Sequence, residues 1–92
     1  MEKALIVDTL HQGVFFGYGE PTFEKTIKLR DARMVVYWDV SQHGNVGLAS
    51  STDLSRCRIS PPALSLIIQD VTAIMEVTPE AEKEWLKPHW AK

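Results

Sequence analysis

The sequence lacks the features that mark a disulfide-stabilised, membrane-spanning or disordered chain. Cys57 is the only cysteine, which excludes an internal disulfide and indicates a reducing compartment such as the cytoplasm. The apolar run near the start, residues 4–7, has four residues, whereas a membrane span requires ~20. Apolar residues make up 45% and charged residues 24% of the chain, which excludes a disordered composition. The 92 residues therefore predict a soluble protein with one domain, residues 1–92, and one small core.

Motifs for catalysis, metal binding and phosphate binding are also missing. The three histidines stand at unrelated spacings, whereas metal-ligand pairs usually recur at short fixed intervals. No sequence feature places a histidine base beside Cys57, so a buried small hydrophobic residue is the better interpretation of this thiol. A phosphate loop requires a lysine that closes the glycine pattern and a helix that follows it. Gly13, Gly17 and Gly19 have neither. We therefore predict no catalytic residue, no metal site and no cofactor, and a protein that is not an enzyme.

Charge, by contrast, is unevenly distributed along the chain. All four arginines lie between residues 30 and 58. Residues 25–58 hold six basic and three acidic side chains, a local net charge of +3, whereas residues 70–84 hold one basic and five acidic side chains, a net charge of −4. The surface formed by the basic segment could therefore bind an anion or the acidic segment of a second copy. The alternative is that both groups are solvated surface charges.

The most informative pattern is the apolar alternation in residues 26–38, which changes phase near Asp31. Ile27 and Leu29 share one parity, whereas the apolar residues that alternate from Ala32 onward share the other. Since side chains alternate strictly along a strand, one extra residue near Asp31 must shift the register if both sets face the core. Part of the continuously apolar end, residues 34–38, should be covered on both sides, by the C-terminal helix or by another subunit.

A second bent strand is predicted over residues 64–77, which loosely repeat the first with Asp70 at the position of Asp31. Gly17, inside a predicted strand at residues 14–18, indicates a bulge or a close backbone approach. The remaining predicted strands cover residues 4–7, 46–49 and 57–59. Together these segments predict a mainly β fold, a small, strongly bent antiparallel β-barrel with one short C-terminal α-helix.

The clearest local signal is a helix predicted over about residues 79–87. Thr78 is placed as the N-cap, a proline occupies the first helical position, and Pro88 ends the helix. A helix of this length does not persist alone in water, so it must dock. Ala81 and Trp85, at i and i+4, provide the apolar stripe, which predicts Trp85 as a core residue and not a ligand platform.

The run of residues 6–37, IVDTLHQGVFFGYGEPTFEKTIKLRDARMVVY, resembles the layout of the first part of a Sm-like small barrel. The later segment SLIIQDVTAI is similar to the closing strands of that barrel. Two departures exist: the N-terminal helix of the Sm-like fold is missing, and the turn at residues 19–26 lacks the Asp and Asn that bind bases in that family. The resemblance therefore implies the barrel layout but not base recognition.

Residues 13–85 look like a family of small uncharacterised phage and prophage proteins. The segments that carry this resemblance are GVFFGY, LRDAR followed by YW, GLA at residues 47–49, CRI at residues 57–59, and DVTAI ahead of a Pro-Glu-Ala helix. The resemblance implies a virus or integrated element as the source. It also implies expression in a bacterial host cytoplasm.

Four arginines and two aromatic residues form the candidate ligand-binding site. They are Arg30, Arg33, Tyr37, Trp38, Arg56 and Arg58. If the two arginine-bearing segments line one edge of a barrel, their guanidinium groups could bind phosphates bidentately while the aromatic rings stack a base. The alternative is that the arginines pair with carboxylates such as Asp31 and Asp53.

The leading hypothesis is a non-enzymatic homo-oligomer that sequesters a nucleotide-derived or other small anionic ligand of host defence. It depends on the charge segregation, the uncovered apolar strand surface and the phage-like resemblance. The alternative is a structural or protein-interaction module, such as a small virion component or an inhibitor that docks on a host protein. In that case the apolar strand and the tryptophans, and not the arginines, would provide the affinity.

Overall fold

The computed structural model describes residues 2–11, 13–37, 47–55 and 57–87. Within these ranges the chain forms six strands followed by one helix. The elements are β1 Lys3–Thr9, β2 Val14–Gly19, β3 Ile27–Tyr37, β4 Arg58–Ile59, β5 Ala63–Ile68, β6 Val71–Glu76 and α1 Pro79–Trp85. Every strand pairing is antiparallel. The prediction of a mainly β fold with one short C-terminal helix is confirmed.

The sheet is open in the part of the chain that the structure describes. Its hydrogen-bonded order is β4-β3-β2-β1-β6, and β5 pairs with β3 beside β4. β5 and β6 follow one another along the chain but pair with different strands, so the ladder has two ends. The predicted closure into a barrel is therefore not confirmed.

An extra residue bends β3 at the predicted place. Phe16 and Tyr18 of β2 are two residues apart, yet their partners on β3, Arg33 and Arg30, are three apart. Asp31 lies inside this interval with a φ of 51°, the left-handed conformation that L-residues seldom adopt. The register shift predicted from the apolar alternation near Asp31 is confirmed.

Gly17 lies opposite the extra residue of β3, where the two backbones approach closely. A Cβ atom at this position would lie 2.9 Å from Leu29 Cβ and 3.3 Å from Ala32 Cα. No side chain fits there without moving β3. The predicted close backbone approach at Gly17 is confirmed.

The second bend lies at Asp70, the counterpart of Asp31 in the sequence. Asp70 has a φ of 56° and separates β5 from β6, so the single segment predicted over residues 64–77 is two strands. Its carbonyl accepts a hydrogen bond from the Leu10 backbone N–H at 3.0 Å, which ties the bend to the end of β1. The loose sequence repeat therefore corresponds to a repeated backbone conformation.

The core lies on both faces of β1 and β2. Even-numbered residues of β1, such as Ile6, belong to a cluster that also contains Ala81 and Trp85 of α1. The segment before β4 adds Leu48, Ala49, Leu54 and Cys57 to this cluster. Odd-numbered residues such as Leu5 belong to a second cluster, completed by the first half of β3 and by Ile68 of β5. The central strands are buried on both sides because the chain folds over each face in turn.

The apolar end of β3 is covered on one side only. Val35 is buried in the cluster that contains α1, whereas Met34 and Val36 are 41% and 47% exposed. Within the single chain the helix-containing cluster covers one side of residues 34–36, and cover of the other side by another subunit stays a prediction. Strict alternation explains the result, since only every second side chain faces the cluster.

The helix forms as the capping pattern predicts. Thr78 Oγ1 accepts a hydrogen bond from the Ala81 backbone N–H at 3.1 Å, and proline occupies the first helical position. Trp85 is fully buried, as predicted, and the helix ends there, two residues earlier than expected.

The prediction of a strand at residues 46–49 is wrong for the residues of this segment that the structure describes, 47–49. Leu48 and Ala49 lie in a turn, while Val46 lies outside the described residues. The Leu48 carbonyl accepts a hydrogen bond from Trp85 Nε1 at 3.1 Å instead of joining a ladder. Leu48 and Leu54 are both fully buried, so this segment serves as a cover for the core.

Candidate functional site

A cleft of about 740 Å³ opens on one face of the sheet, where β2, β3 and β5 meet. Register places Tyr18, Arg30 and Ser65 in one row across the three strands, since Tyr18 pairs with Arg30 and Arg30 with Ser65. Directly opposite residues on antiparallel strands share a face, so these side chains line the same surface. Lys28 and Leu64 are also among the residues that line the cleft.

Arg30 is held in the cleft by two carboxylates and an aromatic ring. Its Nε and Nη2 atoms donate to Glu2 Oε1 at 3.1 and 2.8 Å, and its Nη1 donates to Asp31 Oδ2. The guanidinium carbon lies 4.9 Å from the centroid of the Tyr18 ring, in cation–π contact. The hydrogen bond to Glu2 raises the pKa of Arg30. The pairing with Asp31, considered as the alternative to ligand binding, is therefore present.

Tyr18 connects the cleft to the helix. Its hydroxyl donates to Glu82 Oε2 at 2.8 Å, and its ring packs edge-on against Phe16 with centroids 5.6 Å apart. Burial, followed by the hydrogen bond to Glu82, raises the pKa of Tyr18 to about 12. The phenol is therefore a neutral hydrogen-bond donor near neutral pH and not a base.

The structure brings one of the predicted ligand-binding residues into the cleft, namely Arg30. Arg33 is half-buried further along β3, where its Nη1 lies 3.5 Å from the Ser60 carbonyl oxygen. Arg58 lies in β4 with its backbone paired to Tyr37, and its side chain is exposed.

The other predicted residues fall where the structure gives no description. Trp38 and Arg56 lie outside the described residues, as does the side chain of Tyr37. The grouping of four arginines therefore stays a prediction.

Sequence reasoning missed the apolar and cationic parts of this surface. Leu64 and Ile67 of β5 are 85% and 65% exposed, although their apolar run is typical of a covered strand. Lys28 lines the cleft, and its cross-strand partner on β5 is Ile67. Lys28 has no ion-pair partner among the described residues. The apolar run of β5 was visible in the sequence, but such a run predicts a covered strand and gave no signal of exposure.

Cys57 is 1% exposed, which confirms its interpretation as a buried residue. In the ranges that the structure describes, no three His, Cys, Asp or Glu side chains are grouped as a metal site would need. The helix found there is too short and too polar to cross a membrane.

Comparison with known families matches residues 2–85, from the start of β1 to the end of α1, to the model of a Domain of unknown function (DUF6948). The chain belongs to this family. No curated protein and no solved structure matches it. Membership confirms the resemblance to an uncharacterised family, whereas the phage source, the bacterial cytoplasmic location and the Sm-like relationship stay predictions.

Proposed function

We propose that the protein is a non-enzymatic binding module that assembles into a homo-oligomer through β5. The observation that carries the proposal is the exposure of Leu64 and Ile67, at 85% and 65%, on a strand whose one partner among the described residues is β3. Large apolar side chains beside an unpaired strand edge favour association with another chain.

The sequence of β5 supports this proposal. The strand, ALSLII, contains no charged residue and no proline. Monomeric proteins usually protect an edge strand with lysine, proline or a bulge, because the unpaired backbone groups attract other strands. A chain of 92 residues also gains more from a partner than a larger domain would, since its own core is small.

Light scattering coupled to size exclusion tests the proposal. The unmodified protein is expected to elute as an oligomer, and Ile67→Lys is expected to dissociate it because the ammonium group cannot be buried without a partner. The control is Thr72→Lys, which adds the same charge at an exposed position of β6. A monomeric unmodified protein over the whole accessible concentration range would exclude the proposal, and a stoichiometric host protein on β5 would favour the interaction-module alternative.

A small anionic ligand is the second candidate, and the specific support for it is the pair of cations in the cleft. Arg30 lies over the Tyr18 ring and Lys28 lines the same cleft, a combination that suits a phosphate attached to an aromatic base. The carboxylates of Glu2 and Asp31 already neutralise Arg30, so the ligand would have to displace Glu2. A nucleotide-derived signal of host defence has this chemistry.

Thermal unfolding with cyclic and linear nucleotides tests the second candidate. A ligand that binds the native state must raise Tm as its concentration increases. Lys28→Ala is expected to abolish the increase, whereas Lys83→Ala on the exposed face of α1 is expected to leave it unchanged. An unchanged Tm of the unmodified protein with every nucleotide would refute this candidate and leave the oligomer proposal intact.

A further inference from the structure

We propose that β5 of one copy pairs antiparallel with β5 of a second copy, so that two open sheets join into one and assembly stops at a dimer. This inference rests on the proposed homo-oligomer and specifies its interface, its symmetry and its size. Three features of the described residues carry it, namely the unpaired edge of β5, the covered edge of β6 and the absence of charge on β5.

The outer edge of β5 is available to another strand. β5 pairs only with β3 among the described strands, and no backbone hydrogen bond of residues 63–68 leads to any other described segment. A strand that is paired on one side directs about half of its backbone N–H and C=O groups away from that partner. These groups form a regular ladder only with another extended strand, so backbone chemistry identifies the class of the occupant.

The other end of the sheet is less accessible, because the chain's own β2–β3 loop lies against β6. The Val71 backbone N–H, at the start of β6, donates to the Lys25 carbonyl at 2.9 Å. Farther along β6, Ile74 and Glu76 line one small cavity together with loop residues 21–23. A second copy therefore cannot extend the sheet at β6 unless this loop moves away. β4 has two residues and is too short to offer a comparable ladder.

β5 is also suited to pairing with itself. Two identical antiparallel strands are related by a two-fold axis, and residues close to the axis lie near their own equivalents. Like charges directly opposite each other destabilise such a pair. β5 carries no charged residue, whereas β6 carries Glu76. A two-fold pair occupies the β5 edge of both copies, which leaves none for a third, so the assembly closes at two chains.

One register of this pair places apolar residues opposite apolar residues on both faces. With the two-fold axis at Ser65, Leu64 of each copy lies opposite Leu66 of the other, and Ile67 lies opposite Ala63. With the axis at Leu66 instead, Ile67 would face the polar Ser65. Leu64 and Ile67 are the exposed large apolar side chains of β5, so the first register covers both of them.

Light scattering and cysteine cross-linking test the inference. The mass is expected to rise with concentration to that of two chains and no further. Ser65→Cys, at an exposed position, is expected to form a disulfide with its own equivalent under mild oxidation, because directly opposite Cα atoms lie roughly 4.5–5.5 Å apart. The unmodified protein, whose Cys57 is buried, gives the background.

Ile67→Cys, on the same strand, is the matched control. Its two equivalents would be separated by four residues along the pair, or roughly 13 Å, which is too far for a disulfide. Ser65→Cys is therefore expected to give several-fold more cross-linked dimer than Ile67→Cys. Circular dichroism of each variant checks folding, which exposed substitutions should leave intact.

The outcomes separate this inference from the proposal on which it rests. A mass of two chains together with selective cross-linking by Ser65→Cys supports the pairing of β5 with β5. An assembly of three or more chains that Ile67→Lys dissociates overturns the inference and retains the homo-oligomer. A dimer in which Ser65→Cys cross-links no better than Ile67→Cys has the same consequence. A monomer at every concentration overturns both.

Discussion

Truncation of Trp85 to alanine is expected to remove a large part of the stability of this protein. The indole ring is fully buried and lies parallel to the Phe16 ring, with centroids 4.9 Å apart. Its Nε1 also donates to the Leu48 carbonyl at 3.1 Å, which ties the segment of residues 47–55 to the helix. Ala81 and Trp85 are the buried residues of α1, so the docking of the helix depends mainly on this ring.

The magnitude follows from burial and from the lost hydrogen bond. Truncating a buried tryptophan to alanine typically lowers the free energy of unfolding by about 3–5 kcal/mol, because transfer energy is lost and a cavity remains. Total stability for a domain of this length is about 5–14 kcal/mol. At about 4–8 °C per kcal/mol for a chain of this size, Tm is expected to fall by roughly 12–40 °C.

Urea unfolding followed by circular dichroism measures the effect of Trp85→Ala. A second variant, Trp85→Phe, retains the stacked ring but loses the Nε1–H donor, and is expected to lose only about 1–3 kcal/mol. The adjacent Leu86→Ala is the control, since Leu86 is 55% exposed and its truncation should change stability by less than about 0.5 kcal/mol. A loss below about 1 kcal/mol for Trp85→Ala would refute the assigned role of the ring.

Three further predictions concern the bends and the cleft. Gly17→Ala is expected to lower the free energy of unfolding by about 1–3 kcal/mol, measured by urea unfolding, because the added Cβ would lie 2.9 Å from Leu29 Cβ. Asp70→Gly is expected to leave stability unchanged or raise it by up to about 1 kcal/mol, whereas Asp70→Val should lower it by about 1–2 kcal/mol, since φ is positive. One of the two tyrosines should ionise near pH 12 in tyrosinate absorbance, and Glu82→Gln should lower that pKa. Because the pKa of Tyr18 rises from 10.0 to about 12 on folding, the folded state retains the proton longer, and stability should fall as the pH rises through this interval.

The local features of the fold were predictable because each depends on neighbouring residues. Helix initiation needs only an N-cap, a proline at the first position and a short apolar stripe, and all three stand together in residues 78–85. The bend in β3 was readable because side chains alternate strictly, so a change of phase at Asp31 requires an extra residue. Gly17 was identified because an isolated glycine in an aromatic strand indicates a close backbone approach.

The site was only partly predictable, because its chemistry depends on partners distant in sequence. Arg30 was predicted as a ligand-binding residue and lies in the cleft, yet the carboxylate of Glu2 that pairs with it is 28 residues away. No local sequence pattern distinguishes an arginine that is available to bind a phosphate from one that is already paired with carboxylates of the same chain. The exposure of Leu64 was missed for the same reason, since an apolar run on a strand indicates burial unless the facing surface is absent.

The sequence by itself determined where strands bend, where the helix begins and which residues are apolar, since these properties follow from φ, ψ preferences and side-chain alternation. Tertiary structure alone decided that β5 pairs with β3 and β6 with β1, that residues 47–55 cover the core, and that an open sheet leaves Leu64 and Ile67 in water. Strand pairing and burial are set by contacts between residues far apart in the chain, and periodicity carries no information about which surfaces will meet.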